Sequence, residues 1–245
     1  MKFLVEVKNL KKNYSSKEAV KDISFNIEQN EILGLLGPNG CGKTTTIGML
    51  LGLLKPSAGE IKIDNMNYEN NRIKILSKIN FISPYIELPK KLTVKQNLIV
   101  YGKLYNIQNL ESRIQYLSEK LRLEDLLDRI TGELSSGQKN RASLAKALIN
   151  KPKVLFLDEP TASLDPEIGD FVRSFLETYK KENKISILLA SHNMSEVSRL
   201  CKSVLMMKNG QIIDEGTPES LINKHGRKNL EEVFLKLSRG EDEFN

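Results

Sequence analysis

Hydrophobic and polar residues alternate at the start of the chain: Ile23, Phe25 and Ile27 interleave with Asp22, Ser24 and Asn26, the two-residue period of a half-buried strand. The first 30 residues therefore read as β structure. Residues 31–36 form a short apolar run ending in GPNGCGKTT, after which TIGMLLGLL reads as an apolar helix closed by Lys55-Pro56. Ile61, Lys62 and Ile63 alternate again as a strand. From about residue 84 to 150 the pattern turns helical, charged and Leu-rich, through LTVKQNLIVYGKLY and ESRIQYLSEKLRL, as an inserted helical subdomain would. Apolar strands return at residues 154–157 and 185–190 with IGDFVRSFLETYKKE between them, a βαβ unit that predicts a buried parallel sheet. SVLMMKNGQIIDEG reads as a hairpin pivoting on Asn209-Gly210. The last 20 or so residues read as a short amphipathic helix and an acidic tail.

Composition narrows the class. The 245 residues suit one domain, or one with a sizeable insert, and 40% hydrophobic with 28% charged residues is that of a globular protein. No run reaches the roughly 18 apolar residues of a membrane span, and MKFLVEVKNLKKNY becomes charged too early for a secretory signal, so a cytosolic protein is expected. Cys41 and Cys201 are too few for a disulfide framework or a metal knuckle. The net charge of +6 invites a nucleic-acid reading, but the lysines are scattered and no aromatic residues interleave with them. No nucleic acid is expected as a partner.

Three stretches carry chemistry. GPNGCGKT, residues 37–44, fits the phosphate-loop pattern in its proper context, after a strand and opening a helix. Gly37, Gly40 and Gly42 let the backbone N–H groups turn inward around phosphates, Lys43 supplies a charge for the β and γ oxygens, and the Thr44 hydroxyl can ligate Mg²⁺. In KVLFLDEP, residues 153–160, an apolar strand presents Asp158 as a Mg²⁺ partner, through water, and Glu159 as a general base for the attacking water. In LSSGQKNRASL, residues 134–144, a helix begins with Ser135 or Ser136 as its N-cap, a ready anion site.

The order phosphate loop, LSSGQ, LFLDEP resembles the nucleotide-binding subunit of an ATP-binding cassette (ABC) transporter over nearly the whole chain. The resemblance implies an α/β P-loop NTPase with a RecA-like parallel core, an antiparallel β subdomain and the helical insert. The pattern along the chain divides it into segments 1–83, 84–150, 151–222 and 223–245. The resemblance also implies ATP and Mg²⁺ as cofactors, with Pro38, Asn39, Cys41 and Thr45 joining the rest of the loop around the nucleotide. It implies two cassettes packed head to tail as a homodimer, so that Ser135, Ser136 and Gly137, with Gln138 nearby, touch the γ-phosphate of the partner's ATP. Tyr14 matches the aromatic that stacks on adenine, against an ordinary turn tyrosine. Asp165 matches the loop that signals between sites, against a helix N-cap, and both roles are compatible. His192 matches the switch histidine at the γ-phosphate, whereas His225, in a lysine-flanked stretch, reads as a surface loop residue.

Three departures from the family pattern stand out. Ser136 replaces the first glycine of the usual Gly-Gly. No glutamine lies between Phe81 and Lys95, where Pro84 or Tyr85 takes its place. Cys41 replaces a small residue, and its alkylation is expected to block nucleotide binding. The permease is expected on a separate chain, placing this one at the inner face of the membrane. Residues 229–240 resemble the C-terminal helix of cassettes serving ABC-2-type exporters. The reading is thus an ATPase powering export of a lipid, drug, polysaccharide or other compound. The alternative is a non-transport ABC ATPase acting in DNA repair or translation.

Overall fold

The computed structural model describes residues 3–15, 17–84 and 86–239. In chain order it contains β1 (Phe3–Tyr14), β2 (Lys17–Glu28), β3 (Ile32–Leu36), α1 (Lys43–Leu50), β4 (Ala58–Ile63), β5 (Met66–Asn67), α2 (Tyr68–Leu76) and β6 (Ile79–Ile82). Then come α3 (Val94–Leu104), α4 (Leu110–Leu121), α5 (Ser136–Leu148), β7 (Val154–Asp158), α6 (Pro166–Asn183) and β8 (Ser186–Ala190). The remaining described elements are α7 (Met194–Leu200), β9 (Ser203–Lys208), β10 (Gln211–Gly216), α8 (Pro218–His225) and α9 (Leu230–Arg239). No described helix is long and apolar enough to cross a membrane. The chain forms two compact units, one from the chain up to Ile75 together with that from Ser186 on, the other Leu76–Ile185. The segments expected from local pattern group residues differently from these units.

In the first unit, β2-β1-β4-β5 form an antiparallel sheet. The alternation of Ile23, Phe25 and Ile27 buries one face of β2, as expected. The second sheet of this unit runs β10-β9-β3-β8, with β3 parallel to both β8 and β9. Every residue of β3 and β8 is buried, which is why these strands are apolar without alternation. The β9–β10 hairpin turns on Asn209 and Gly210, both at positive φ (49° and 82°), the demand of a type I′ turn. Helix α1 stops at Leu50, earlier than its apolar run suggests. Gly52 takes a left-handed φ of 65° and the Leu53 and Leu54 amides fold back onto the Gly48 carbonyl, so a glycine C-cap, not Pro56, ends it.

His225 is not a surface loop residue. It ends α8, and its Nε2 lies 2.6 Å from Asp214 of β10, whose side chain also takes Lys224 Nζ at 2.6 Å. Burial pushes the Asp214 carboxyl up, but the hydrogen bonds from Lys224 and His225 outweigh it and hold the group below its ordinary value. The lysines flanking His225 concealed a helix whose cap is Thr217 and whose first residue is Pro218.

In the second unit β6 pairs parallel with β7, Ile82 opposite Leu157. Helices α3 to α6 carry the rest. Arg113 of α4 is buried and donates to the Leu148 carbonyl at the end of α5 (2.5 Å) and to the Tyr179 hydroxyl on α6 (2.8 Å). Lys146 of α5 is buried: it donates to the Phe81 carbonyl at 3.3 Å and lies 4.9 Å and 5.4 Å from the rings of Phe81 and Tyr101. Burial lowers its pKa to about 8. An unfolded lysine titrates near ~10.4, so between about pH 8 and that value the unfolded chain holds the extra proton and stability rises with pH. Denaturant titrations from pH 7.5 to 10 are expected to show the wild type gaining about 2 kcal/mol relative to Lys146→Met. Parallel pH profiles would show that Lys146 titrates like a solvated lysine.

Candidate functional site

The phosphate loop joins β3 to α1 and is stitched into the first unit by backbone bonds. The Cys41 amide donates to the Pro38 carbonyl (3.2 Å), the Gly210 amide to the Cys41 carbonyl (2.9 Å), and the Lys21 amide to the Gly210 carbonyl (2.7 Å). The β9–β10 turn therefore holds the loop on one side and β2 holds the turn. Gly42 caps α1 with φ 114°, where an added Cβ would lie 2.7 Å from the Ala19 carbonyl oxygen. At Gly37 a Cβ would meet the Met207 carbonyl at 2.3 Å, while at Gly40 it would meet nothing within 4 Å. So Gly37 and Gly42 are fixed by close approach, and Gly40 lies open on the loop's exposed rim.

Lys43 is only 7% exposed, and its Nζ donates to the carbonyls of Gly37 (2.6 Å) and Pro38 (3.2 Å). The ammonium is thus held inside the loop by its carbonyls. Such a loop, opening a helix N-terminus with a lysine turned inward, fits the phosphates of a nucleotide. Thr44 is exposed beside it and Thr45 half-buried, whereas Thr46 Oγ1 is turned back onto the Gly42 carbonyl. Asn39 is exposed and Pro38 half-buried.

Cys41 is buried at 3% exposure, its sulfur against Gly37. Burial raises its thiol pKa, and Lys43 offsets only part of that rise. The thiol is therefore accessible only when the loop opens. Iodoacetamide at pH 7.5 is expected to label Cys41 much more slowly in the native protein than after denaturation, and saturating nucleotide should slow it further. Equal native and denatured rates would disprove the burial argument.

His192 is exposed and belongs to the same unit as the loop, one residue beyond Ser191, which follows β8. Ser191 Oγ donates to the fully buried Glu196 at 2.7 Å and accepts from the Asn193 amide at 3.1 Å. Asn193 then caps α7 through its side chain, accepting from the amides of Ser195 and Glu196. The backbone is thus pinned on both sides of His192, a frame not evident from the histidine alone. Tyr14 ends β1 at 44% exposure, with Lys12 Nζ 5.0 Å from its ring centroid.

The remaining candidates lie in the second unit. Asp158, 4% exposed, ends β7, and Glu159 follows, half-buried with a left-handed φ of 52°. The Ala162 amide closes the turn onto the Glu159 carbonyl (3.2 Å), and Asp165 caps α6 by accepting from the Ile168 amide at 2.9 Å. Asp165 is thus an N-cap, alongside any signalling role. On α5, Ser135 is the cap: its Oγ accepts from the Gln138 amide and Gln138 Oε1 accepts from the Ser135 amide, a complete capping box. Ser136 is exposed, so a side chain there meets no packing constraint. Gly137 is buried, and a Cβ on it would come within 3.2 Å of Ile168 Cγ2. This explains why the second glycine of the signature is kept while the first is replaced. Ser136 and Glu159 line one cavity of about 270 Å³, together with Pro84, Lys139, Asn140 and Ser163. Tyr85, the other occupant expected at the missing glutamine, lies outside the described residues.

The family model for ABC transporters matches residues 20–162. The chain belongs to the ABC transporter family. It is 37% identical over 227 residues to the ABC transporter ATP-binding protein NatA of Bacillus subtilis, covering 91% of this chain and 92% of that one. Nod factor export ATP-binding protein I of Paraburkholderia xenovorans is 36% identical, over 94% of this chain and 76% of its own length. Among solved structures, an ATP-binding subunit of an ABC transporter matches with a TM-score of 0.88 at 27% identity, covering 96% and 99% of the two chains. The cassette cbiO1 of Clostridium perfringens, part of the cbiONQ transporter complex, matches at 0.81 and 33% identity, over 98% and 97%. The dimeric cassette MJ0796 bound to ADP and Pi matches at 0.80 and 25% identity, over 87% and 98%. The fold is that of the ABC ATPases, and this chain is an ABC transporter ATPase. These likenesses are to transport proteins and do not favour the alternative in DNA repair or translation.

Proposed function

We propose that this cassette works as one half of a head-to-tail homodimer that drives a separate membrane-spanning permease, with export as the direction. The observation that carries the reading is the phosphate loop, with Lys43 turned inward between the Gly37 and Pro38 carbonyls at the start of α1. Residues 37–45 hold the phosphates of ATP, and Tyr14 stacks on the adenine. Thr44 and Asp158 would hold Mg²⁺, which would supply charge neutralisation at the phosphates. Glu159 takes the proton of the attacking water and His192 contacts the γ-phosphate. Ser135, Ser136, Gly137 and Gln138 face the partner's ATP, and Asp165 signals between the two sites.

Several likenesses support this reading. MJ0796 is a dimer with ADP and Pi, cbiO1 is part of a transporter complex, and the Nod factor relative is named for export. Ser135 and Ser136 are exposed at the start of α5, which leaves them accessible for an anion brought by another chain. The permease would place the cassette at the inner face of the membrane. The decisive test is to tag the chain in its own host, solubilise membranes gently and identify by mass spectrometry what copurifies. A stoichiometric integral membrane protein supports the reading. Recovery of ribosomal or DNA-bound proteins alone would overturn it.

A further inference from the structure

Asn140 lies in the second turn of α5, where that helix meets the turn after β7. Its Nδ2 donates to the Pro160 carbonyl at 2.6 Å, while its Oδ1 is buried with no hydrogen-bond partner. Flipping the amide would set two acceptor oxygens against each other at that short distance, so the orientation is fixed. An apolar side chain of similar shape would avoid the orphaned oxygen. What the asparagine gains is a hold on the residue that follows Glu159. Glu159 occupies a left-handed conformation (φ 52°), which a non-glycine residue adopts only when its surroundings enforce it. The bond that closes the turn, from the Ala162 amide to the Glu159 carbonyl, is long at 3.2 Å. The short bond from Asn140 supplies a firm anchor to α5, and Asn140 and Glu159 line the same cavity.

We infer that Asn140 is a positioning residue for Glu159, fixing through the Pro160 carbonyl the direction in which the carboxylate points. The inference rests on the reading of Glu159 as general base. It adds a consequence for the dimer. The first turn of α5 carries Ser135 to Gln138, assigned above to the partner's nucleotide, so one rigid helix links the partner's ATP to the base that acts on this chain's own. Displacement of α5 when the partner's ATP is engaged is transmitted through Asn140 to Glu159.

The test is steady-state ATPase kinetics and thermal unfolding of the full chain carrying Asn140→Leu, Asn140→Asp or Asn140→Gln, beside Glu159→Gln. Asn140→Leu is expected to lower kcat roughly 10- to 100-fold, as a misplaced catalytic group does, with KM for ATP within about twofold of wild type. Its Tm should change little, because the orphaned oxygen is gone while the Pro160 carbonyl loses its donor. Asn140→Asp, which sets a carboxylate against the Pro160 carbonyl, should lose kcat equally and carries the test if the leucine variant does not fold. Asn140→Gln, which keeps the donor, should recover part of the rate. A wild-type kcat in folded Asn140→Leu or Asn140→Asp, while Glu159→Gln is inactive, overturns the inference alone. Wild-type turnover in Glu159→Gln overturns the assignment of the base and the inference with it.

Discussion

Glu159→Gln is expected to bind ATP as the wild type does and to turn it over roughly 10²- to 10⁴-fold more slowly, the usual worth of a general base. The substitution preserves shape at a half-buried position while it removes the negative charge, exchanges one acceptor oxygen for an N–H donor and abolishes the ability to accept a proton. Asp158, buried at the end of β7, is untouched, so Mg²⁺-dependent binding should survive. In the head-to-tail dimer the consequence is visible without following hydrolysis. A cassette that binds ATP but does not cleave it accumulates in the state ATP favours. Size-exclusion chromatography with ATP and Mg²⁺ should therefore show a stable dimer for Glu159→Gln and a mixture or monomer for the wild type. Wild-type turnover in this variant would remove Glu159 as the base. Lost turnover without a trapped dimer would keep the base and count against ATP-driven closure.

The local geometry of the candidate site was legible in the sequence because it depends on the order of residue types in short stretches. GPNGCGKT needs glycines where backbone approaches backbone, and the contacts awaiting a Cβ at Gly37 and Gly42 supply that reason. LSSGQ announced a capped helix, and the capping box between Ser135 and Gln138 is what the spacing of the two residues allows. The hairpin at Asn209-Gly210 was legible for the same local reason. What escaped notice depends on partners distant in sequence. Strand β6 is only INFI, and its polar Asn80 is buried by a bond to Asn150, seventy positions away. Helix α2 is short and kinked at Asn71, too irregular for periodicity to reveal. His225 reads as a surface residue among lysines, and even its near partner Asp214, on the preceding strand, is not announced by any local pattern. Asn140 passes for one polar residue in KNR, because the carbonyl it holds belongs to Pro160. Motifs name the candidate groups, whereas the contacts that surround those groups are set by the fold.

Lys43 separates binding from chemistry, and its removal should have the opposite signature to that of Glu159. Lys43→Ala is expected to weaken ATP binding by about 100-fold, the equivalent of a lost charge-assisted contact worth roughly 3 kcal/mol. Fold stability should fall by about 1–3 kcal/mol, since the substitution takes this donor from the buried Gly37 carbonyl, whereas Pro38, half-buried, can turn to water. Lys43→Arg should fare little better than alanine. The ammonium fits between the Gly37 and Pro38 carbonyls, at 2.6 Å and 3.2 Å, in a pocket that leaves the lysine 7% exposed. A planar guanidinium is wider and demands fork-shaped acceptors that this loop does not offer. Isothermal titration with ATP and Mg²⁺ checks both variants, with Tm as the control for folding. Wild-type affinity in Lys43→Ala would mean that residues 37–44 do not hold the phosphates. A hundredfold loss in both substitutions, with Glu159→Gln binding normally, would place affinity in the loop and turnover in the carboxylate turn.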